Sequence, residues 1–368
     1  MASRAPLYLG HEAAAIVSAS RSFSALGSAT TPIAPAGYLE DRQPLHLGQL
    51  TITPQLVDHC GVDAFALVID AGAERLVCTG HLRGHGRDVS LFERLVANPP
   101  SWVDTLLVEG AHLPSARAAL STTEQTPHRG AVTEHELELA MAQTFLASDG
   151  LAVVVSAAQH MDRLVTAYRA CLRSGRTLLV DLYAATVAQA TGRRTLPQPG
   201  FPQLGVYVPD RQRLAVEVSG DPHRLDAVAA YRVQPDEIVS RPDEFVVLTG
   251  VSTVSELLRC GALGRAGVVV WSPGSVGLRD RAGLAMTAQL ASATVSLVQH
   301  HTSGHSSAGD LSRLVTAIGV RQVVRIDTAA PGRASRRVPP SRDPTTALDG
   351  GRWQRSAPPP RPRIGGQK

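Results

Sequence analysis

Short apolar runs punctuate the chain from residue 105 onward. "TLLVEG" (105–110), "GLAVVVS" (150–156), "RTLLVDLY" (176–183), "FVVLTG" (245–250), "GVVVWS" (267–272) and "TVSLVQH" (294–300) each end near a polar residue or a glycine. Their length suits buried strands rather than helices. Between them lie segments with helical spacing. "TEHELELAMAQTFLAS" opens with a capping box, Thr133 and Glu136, and "HMDRLVTAYRACLRSG" (160–175) closes on a glycine. Strands alternating with helices at this spacing predict a parallel, doubly wound sheet. The first part of the chain has a different pattern. "PLYLGHEAAAIVSASRSFSAL" (6–26) reads as a short strand and a helix, and residues 27–45 as loop. "LGQLTITPQLVDH" (47–59) reads as strand, turn, strand, and "AFALVIDAGAERLVCTGHL" (64–82) as a hairpin around Ala71-Gly72. Near the end a helix over 307–318 precedes the strand "RQVVRI" and Asp327.

Composition adds bounds. A chain of 368 residues favours two domains, and 43% hydrophobic with 18% charged residues supports a real core. Four scattered cysteines without a C-x-x-C argue against a zinc knuckle or a redox pair, and read as thiols in a reducing cytosol. No signal-peptide pattern and no stretch of about 18 apolar residues is present, so the expectation is a soluble, cytoplasmic protein without a membrane partner. Residues 331–368 carry nine Arg and Lys against two Asp, so the chain's net +4 comes from a Pro/Arg-rich tail expected to be disordered. In that tail "GRWQRSAPPPRPR" (351–363) places arginines around one Trp. Arginine contacts phosphates and Trp stacks on bases, while a proline run also suits an SH3-like groove. There is no Walker A loop, dinucleotide fingerprint or G-x-S-x-G elbow. Nothing in the pattern requires or forbids a homo-oligomer.

Five polar residues share one placement. His59, His81, Glu109, His305 and Asp327 each follow an apolar strand. In layered α/β proteins, loops at one sheet edge gather such side chains into a cleft. Imidazoles and carboxylates together suit zinc or manganese. A lone strand-end histidine is more commonly a hydrogen-bonded surface residue. Five in order carry more weight.

These segments resemble the β-CASP branch of the metallo-β-lactamase fold, the ribonuclease J-like RNA-processing hydrolases. "TITPQLVDHCGVDAFALVIDAGAERLVCTGHLRGHGR" is similar to that family's third and fourth metal motifs. "DTLLVEG" resembles its acidic motif A, "HTSGHSSAGDLSRLVTAI" its motif B, and "VVRIDT" stands where motif C falls. "SAAQHMDRLVTAYRACLRSGRTLLVDLY" looks like the core of the β-CASP insert. The resemblance spans roughly residues 5–330. It implies zinc as cofactor, His59 as a ligand, Glu109 as the motif A acid and His305 as the motif B group at the scissile phosphate. His301, Ser303 and Gly304 would contact substrate.

The chain also departs from that family. The His-x-His-x-Asp-His signature is absent, as though the chain begins inside the family's first domain. His81 stands where the family has a bridging aspartate, and Asp327 where it has a histidine. A carboxylate can bridge two ions, whereas an imidazole normally ligates one, so a two-ion centre is disfavoured. A single remodelled ion would be held by His59, His81 and Asp327. The expected fold is an α/β, metallo-β-lactamase-like αββα sandwich, N-terminally incomplete, with a doubly wound β-CASP insert. The expected boundaries are 1–130 for the first part, 131–293 for the insert, 294–330 for the return and 331–368 for the tail. The expected function is metal-dependent hydrolysis of RNA phosphodiesters, impaired by the missing ligands. RNA would bind in the inter-domain cleft and on the Arg-rich tail. The alternative is a non-catalytic RNA- or protein-binding relative that has lost the metal.

Overall fold

A computed structural model describes residues 5–23, 34–109 and 131–326. Asp327 and the tail at 331–368 lie outside the described residues. The chain opens with β1 (Tyr8–Leu9), α1 (His11–Ser20) and β2 (Gly37–Tyr38). Then come β3 (Leu45–Leu47), β4 (Leu50–Leu56), β5 (Phe65–Ala71), β6 (Glu74–Cys78), α2 (Val89–Ala97) and β7 (Thr105–Glu109). The central stretch runs α3 (Glu134–Leu146), β8 (Ala152–Val155), α4 (Met161–Ser174), β9 (Thr177–Asp181), α5 (Leu182–Ala190), β10 (Leu204–Tyr207) and α6 (Asp210–Ser219). It continues with α7 (His223–Asp226), α8 (Pro235–Ser240), β11 (Phe245–Thr249), α9 (Val251–Arg259), β12 (Val268–Trp271), α10 (Arg281–Ser292) and β13 (Ser296–Gln299). Last come α11 (Ala308–Ile318) and β14 (Gln322–Ile326).

These elements form two compact units. The first comprises described residues up to Tyr38, Cys60–Val62 and Val132–Ser303. Its sheet has the order β10-β9-β11-β8-β12-β13, and every pairing is parallel. Both faces are covered, which explains why the strands read as unbroken apolar runs. Val154, Val180, Leu248 and Val270 pack on one side with Leu164 and Ala167 of α4 and Val187 of α5. Val153, Leu179, Val247 and Val269 pack on the other with Leu257 of α9 and Met286 of α10. The sheet is therefore doubly wound, as the alternation predicts. The capping box at Thr133 forms as expected: its hydroxyl accepts from the Glu136 N–H at 3.2 Å, while Glu136 accepts from the Thr133 N–H at 2.8 Å. Gly175 closes α4 in the left-handed region, φ +72°.

The second unit comprises described residues 39–59, 63–109, 131 and 304–326. Its sheet has the order β14-β7-β6-β5-β4-β3. The β3–β6 meander is antiparallel, with its β5–β6 turn at Gly72-Ala73, one residue on from the predicted Ala71-Gly72, and β6, β7 and β14 are mutually parallel. One face carries Ala66, Val68, Val77, Leu106, Val108 and Val323 against Phe92 and Leu95 of α2 and Leu311, Leu314 and Ile318 of α11. Leu67, Ile69, Leu76, Leu107 and Val324 fall on the alternate positions of these strands and are only half-buried. Among the described residues this unit has one sheet with helices on one face, so the second sheet of an αββα sandwich is not among them.

Two expected boundaries need correction. Residues 5–23 and 34–38 belong with the parallel-sheet unit, not with residues 39–109. The reason is local: among the described residues β1 pairs only with β2, α1 packs against α5, and Glu12 forms an ion pair with Arg193 at 2.7 Å. The return to the mixed-sheet unit begins at Gly304, not at 294, because β13 is the edge strand of the parallel sheet, hydrogen-bonded to β12. No helix among the described residues is long and apolar enough to cross a membrane.

Leu314 of α11 is completely buried. Leu314→Ala is expected to destabilise the mixed-sheet unit by about 2–5 kcal/mol in urea unfolding followed by circular dichroism. A loss below about 1 kcal/mol would contradict the packing of α11 described here.

Candidate functional site

Strand direction decides where polar residues collect. β4 is antiparallel to β5, and β5 to β6, so β4 and β6 run the same way. β7 and β14 are parallel to β6. All four carboxyl ends therefore lie at one edge of the sheet. His59 follows β4, His81 follows β6, and Glu109 is the last residue of β7. The loop before α11 brings His305 to the same edge.

The side chains meet there. His81, Glu109 and His305 each offer a ligand atom within 4.8 Å of the others. The ring centroids of His81 and His305 are 4.5 Å apart. His59 stands beside them, 5.8 Å from His81 and 6.5 Å from His305 between centroids. Glu109 is buried and uses both oxygens. Its Oε2 accepts from His305 Nδ1 at 2.6 Å, and its Oε1 accepts from the Ser306 N–H at 2.7 Å. The Ser306 hydroxyl donates to the Leu82 carbonyl at 2.8 Å, which ties the same turn to the loop after β6. His59 Nδ1 donates to the Gly304 carbonyl at 2.8 Å. A carbonyl oxygen can only accept, so this bond fixes the His59 tautomer with its lone pair on Nε2.

A buried ion pair supports the two loops. Asp58 and Arg83, flanking His59 and His81 in sequence, are both buried, with Arg83 Nε 3.7 Å from Asp58 Oδ1. The Arg83 N–H also donates to the Asp58 carbonyl at 2.9 Å. Gly86 closes over this pair. A Cβ there would lie 2.2 Å from Asp58 Oδ2 and 2.4 Å from Arg83 Nε, so only glycine fits. Burial raises the Asp58 carboxyl to about 6, against the opposing attraction of Arg83. Burial also lowers the His59 pKa, opposed by its bond to Gly304 and reinforced by His81, Arg83 and His305. Its ring stays neutral to lower pH than an exposed imidazole.

The remaining expected residues, and two further histidines, His85 and His160, are placed as follows. Gly304 contributes its carbonyl to His59. His301 and Ser303 belong to the parallel-sheet unit. There His301 Nδ1 donates to the Ser272 carbonyl at 2.8 Å. Asp327, expected as a third ligand, lies outside the described residues. His85 is buried. His160 is itself the N-cap of α4, accepting from the Arg163 N–H at 3.1 Å. Ser306, Asp58 and Arg83 were not legible as parts of the site. An aspartate beside the strand-end histidine in "LVDH" and an arginine in "GHLRGHGR" were the available signals.

No protein-family model matches the chain, and no curated protein matches it. Among solved structures, the chain is similar to the crystal structure of a protein of unknown function from Enterococcus faecalis V583. The TM-score is 0.68 at 17% identity, over 97% of this chain and 74% of that one. The chain is an α/β protein. Identity at that level speaks to the fold alone.

The Asp58 carboxyl has a signed consequence. Its folded-state pKa lies above its ordinary value of 3.8, so folding binds a proton more tightly, and this group's contribution to stability falls as pH rises from about 4 to about 6. The carboxyl carbon of Asp58 is expected to titrate near 6 by NMR, and higher still in Arg83→Gln. A midpoint near 3.8 in the unaltered protein would contradict the buried setting.

Proposed function

We propose that the chain is a metal-dependent hydrolase of phosphodiesters, of the RNA-processing type, on a metallo-β-lactamase-like fold with a β-CASP insert. One observation carries the reading: three imidazoles and a carboxylate, from four segments distant in sequence, converge at one sheet edge. The motif resemblance supplies the substrate class. The donor set fits an ion. His59 is held through Nδ1 by a carbonyl and His305 through Nδ1 by a carboxylate. This is how ligating histidines are oriented, with Nε2 presented for coordination. Zinc, the ion such imidazoles suit, would polarise a phosphoryl oxygen and make bound water acidic enough to attack at neutral pH.

The protein's own groups set the stage for that chemistry. Glu109 fixes the tautomer and angle of His305, and Ser306 locks Glu109 in turn. Asp58 and Arg83 hold the two loops that carry His59 and His81. The arginines of residues 331–368 supply positive charge for an RNA backbone, without sequence preference. A second reading, a non-catalytic RNA-binding relative, is favoured by His81 standing where the family has a bridging aspartate.

Zinc-loaded full-length chain is expected to cleave single-stranded RNA. His305→Ala should lower turnover by at least about 100-fold, and removing the ion with a chelator should abolish it. RNA binding that weakens steeply with salt, with no cleavage in any divalent ion, would overturn the hydrolase reading in favour of the binding one.

A further inference from the structure

We infer that the strand-end cluster is a one-ion centre, ligated by the three imidazoles of His59, His81 and His305, with Glu109 outside the ligand set as the group that orients His305. The inference rests on the metal part of the proposed function and is independent of its substrate. It changes the ligand set expected from sequence, putting His305 in the inner ring of donors.

Ring spacing is the first argument. An imidazole bound through nitrogen at about 2.0–2.1 Å has its centroid about 3.2 Å from the ion, so rings sharing a tetrahedral ion stand about 5 Å apart. The observed separations of 4.5, 5.8 and 6.5 Å straddle that value. His59 lies outside the group of donor atoms within 4.8 Å of one another, so its ring has to move inward to join the other two.

The second argument is the hydrogen bonding of the rings. Gly304 anchors His59 through Nδ1, and Glu109 anchors His305 through Nδ1. Both bonds put the lone pair on Nε2. The His305–Glu109 pair reproduces the carboxylate–histidine–metal arrangement, in which the carboxylate raises the basicity of the ring without touching the ion.

The third argument concerns the number of ions. Two-ion hydrolytic sites hold their ions about 3.5–4 Å apart and need an oxygen donor between them. Glu109 is the carboxylate of this cluster among the described residues. Its two oxygens are committed to His305 at 2.6 Å and to the Ser306 N–H at 2.7 Å. A bridging role would require each Glu109 oxygen to share itself between its hydrogen bond and an ion. Three imidazole nitrogens match the number of protein donors in a hydrolytic zinc site with a single ion.

The test is metal stoichiometry on the full-length chain, with zinc measured by elemental analysis after dialysis and cobalt used as a spectroscopic probe. One ion per chain is expected, with the intense visible absorption of four-coordinate cobalt. His81→Ala alters an exposed ring and should fold normally while losing the ion; His59→Ala and His305→Ala should also lose it, each with a further loss of stability from the bond removed. Glu109→Gln should still bind one ion, with affinity reduced about 10- to 100-fold. Two ions per chain, six-coordinate cobalt, an unaltered chain that retains no ion, or Glu109→Gln losing the ion as completely as His81→Ala would each overturn the inference. One tightly held ion without RNA turnover would support this centre while removing the hydrolase reading. RNA turnover with two ions per chain would do the reverse.

Discussion

The mixed-sheet unit depends at its functional edge on one carboxylate. Glu109 sits at the end of a central strand, almost wholly shielded from water, and joins it to a turn 196 residues later. A buried carboxylate is costly unless its oxygens are hydrogen-bonded. Here the imidazole of His305 and the N–H of Ser306 satisfy them. The same two bonds set the start of α11 and the orientation of His305. The packing of α11 on the sheet then buries Leu311, Leu314 and Ile318. The chemistry of the edge and the closing of the unit's core are thus coupled through a single side chain.

Topology makes that coupling possible. β4, β6, β7 and β14 all point the same way, so whatever follows each strand arrives at a common edge. The edge is held by backbone contacts as much as by side chains. The Gly304 carbonyl holds His59, the Asp58 carbonyl holds the Arg83 N–H, and the Leu82 carbonyl takes the Ser306 hydroxyl. Each bond ties together loops of different strands. His59 and His305 are oriented in this way, because the Nδ1 bond of each ties its loop to a distant segment.

Much of the architecture was legible because it is local. Apolar runs such as "LAVVVS" and "FVVLTG" can be little other than buried strands, and the Thr133 capping box declares its helix within four residues. Strand ends were equally readable, which is why His59, His81, Glu109 and His305 stood out together. Membership of a sheet was less readable. "SLVQ" has the same alternation whichever sheet it joins, and only its pairing with β12 places it in the parallel unit. β1 and β2 are two residues each, too short for any periodicity to assign them a neighbour. The Asp58–Arg83 pair was hidden for another reason. A buried ion pair is a property of two loops meeting, and each residue alone looks like ordinary surface charge. The His59–Gly304 bond, 245 residues long in sequence, was hidden likewise.

The central claim is that the surrounding acceptors have already chosen the face each histidine presents. The most direct test is nitrogen-15 NMR of the imidazole rings in the metal-free protein, at a pH high enough for the rings to be uncharged. His59 and His305 should both show Nδ1 protonated and Nε2 bare, with the His305 tautomer lost in Glu109→Ala while that of His59 is kept. Rings averaging between tautomers, or protonated at Nε2, would contradict the account, because the edge would then not be organised to hold an ion.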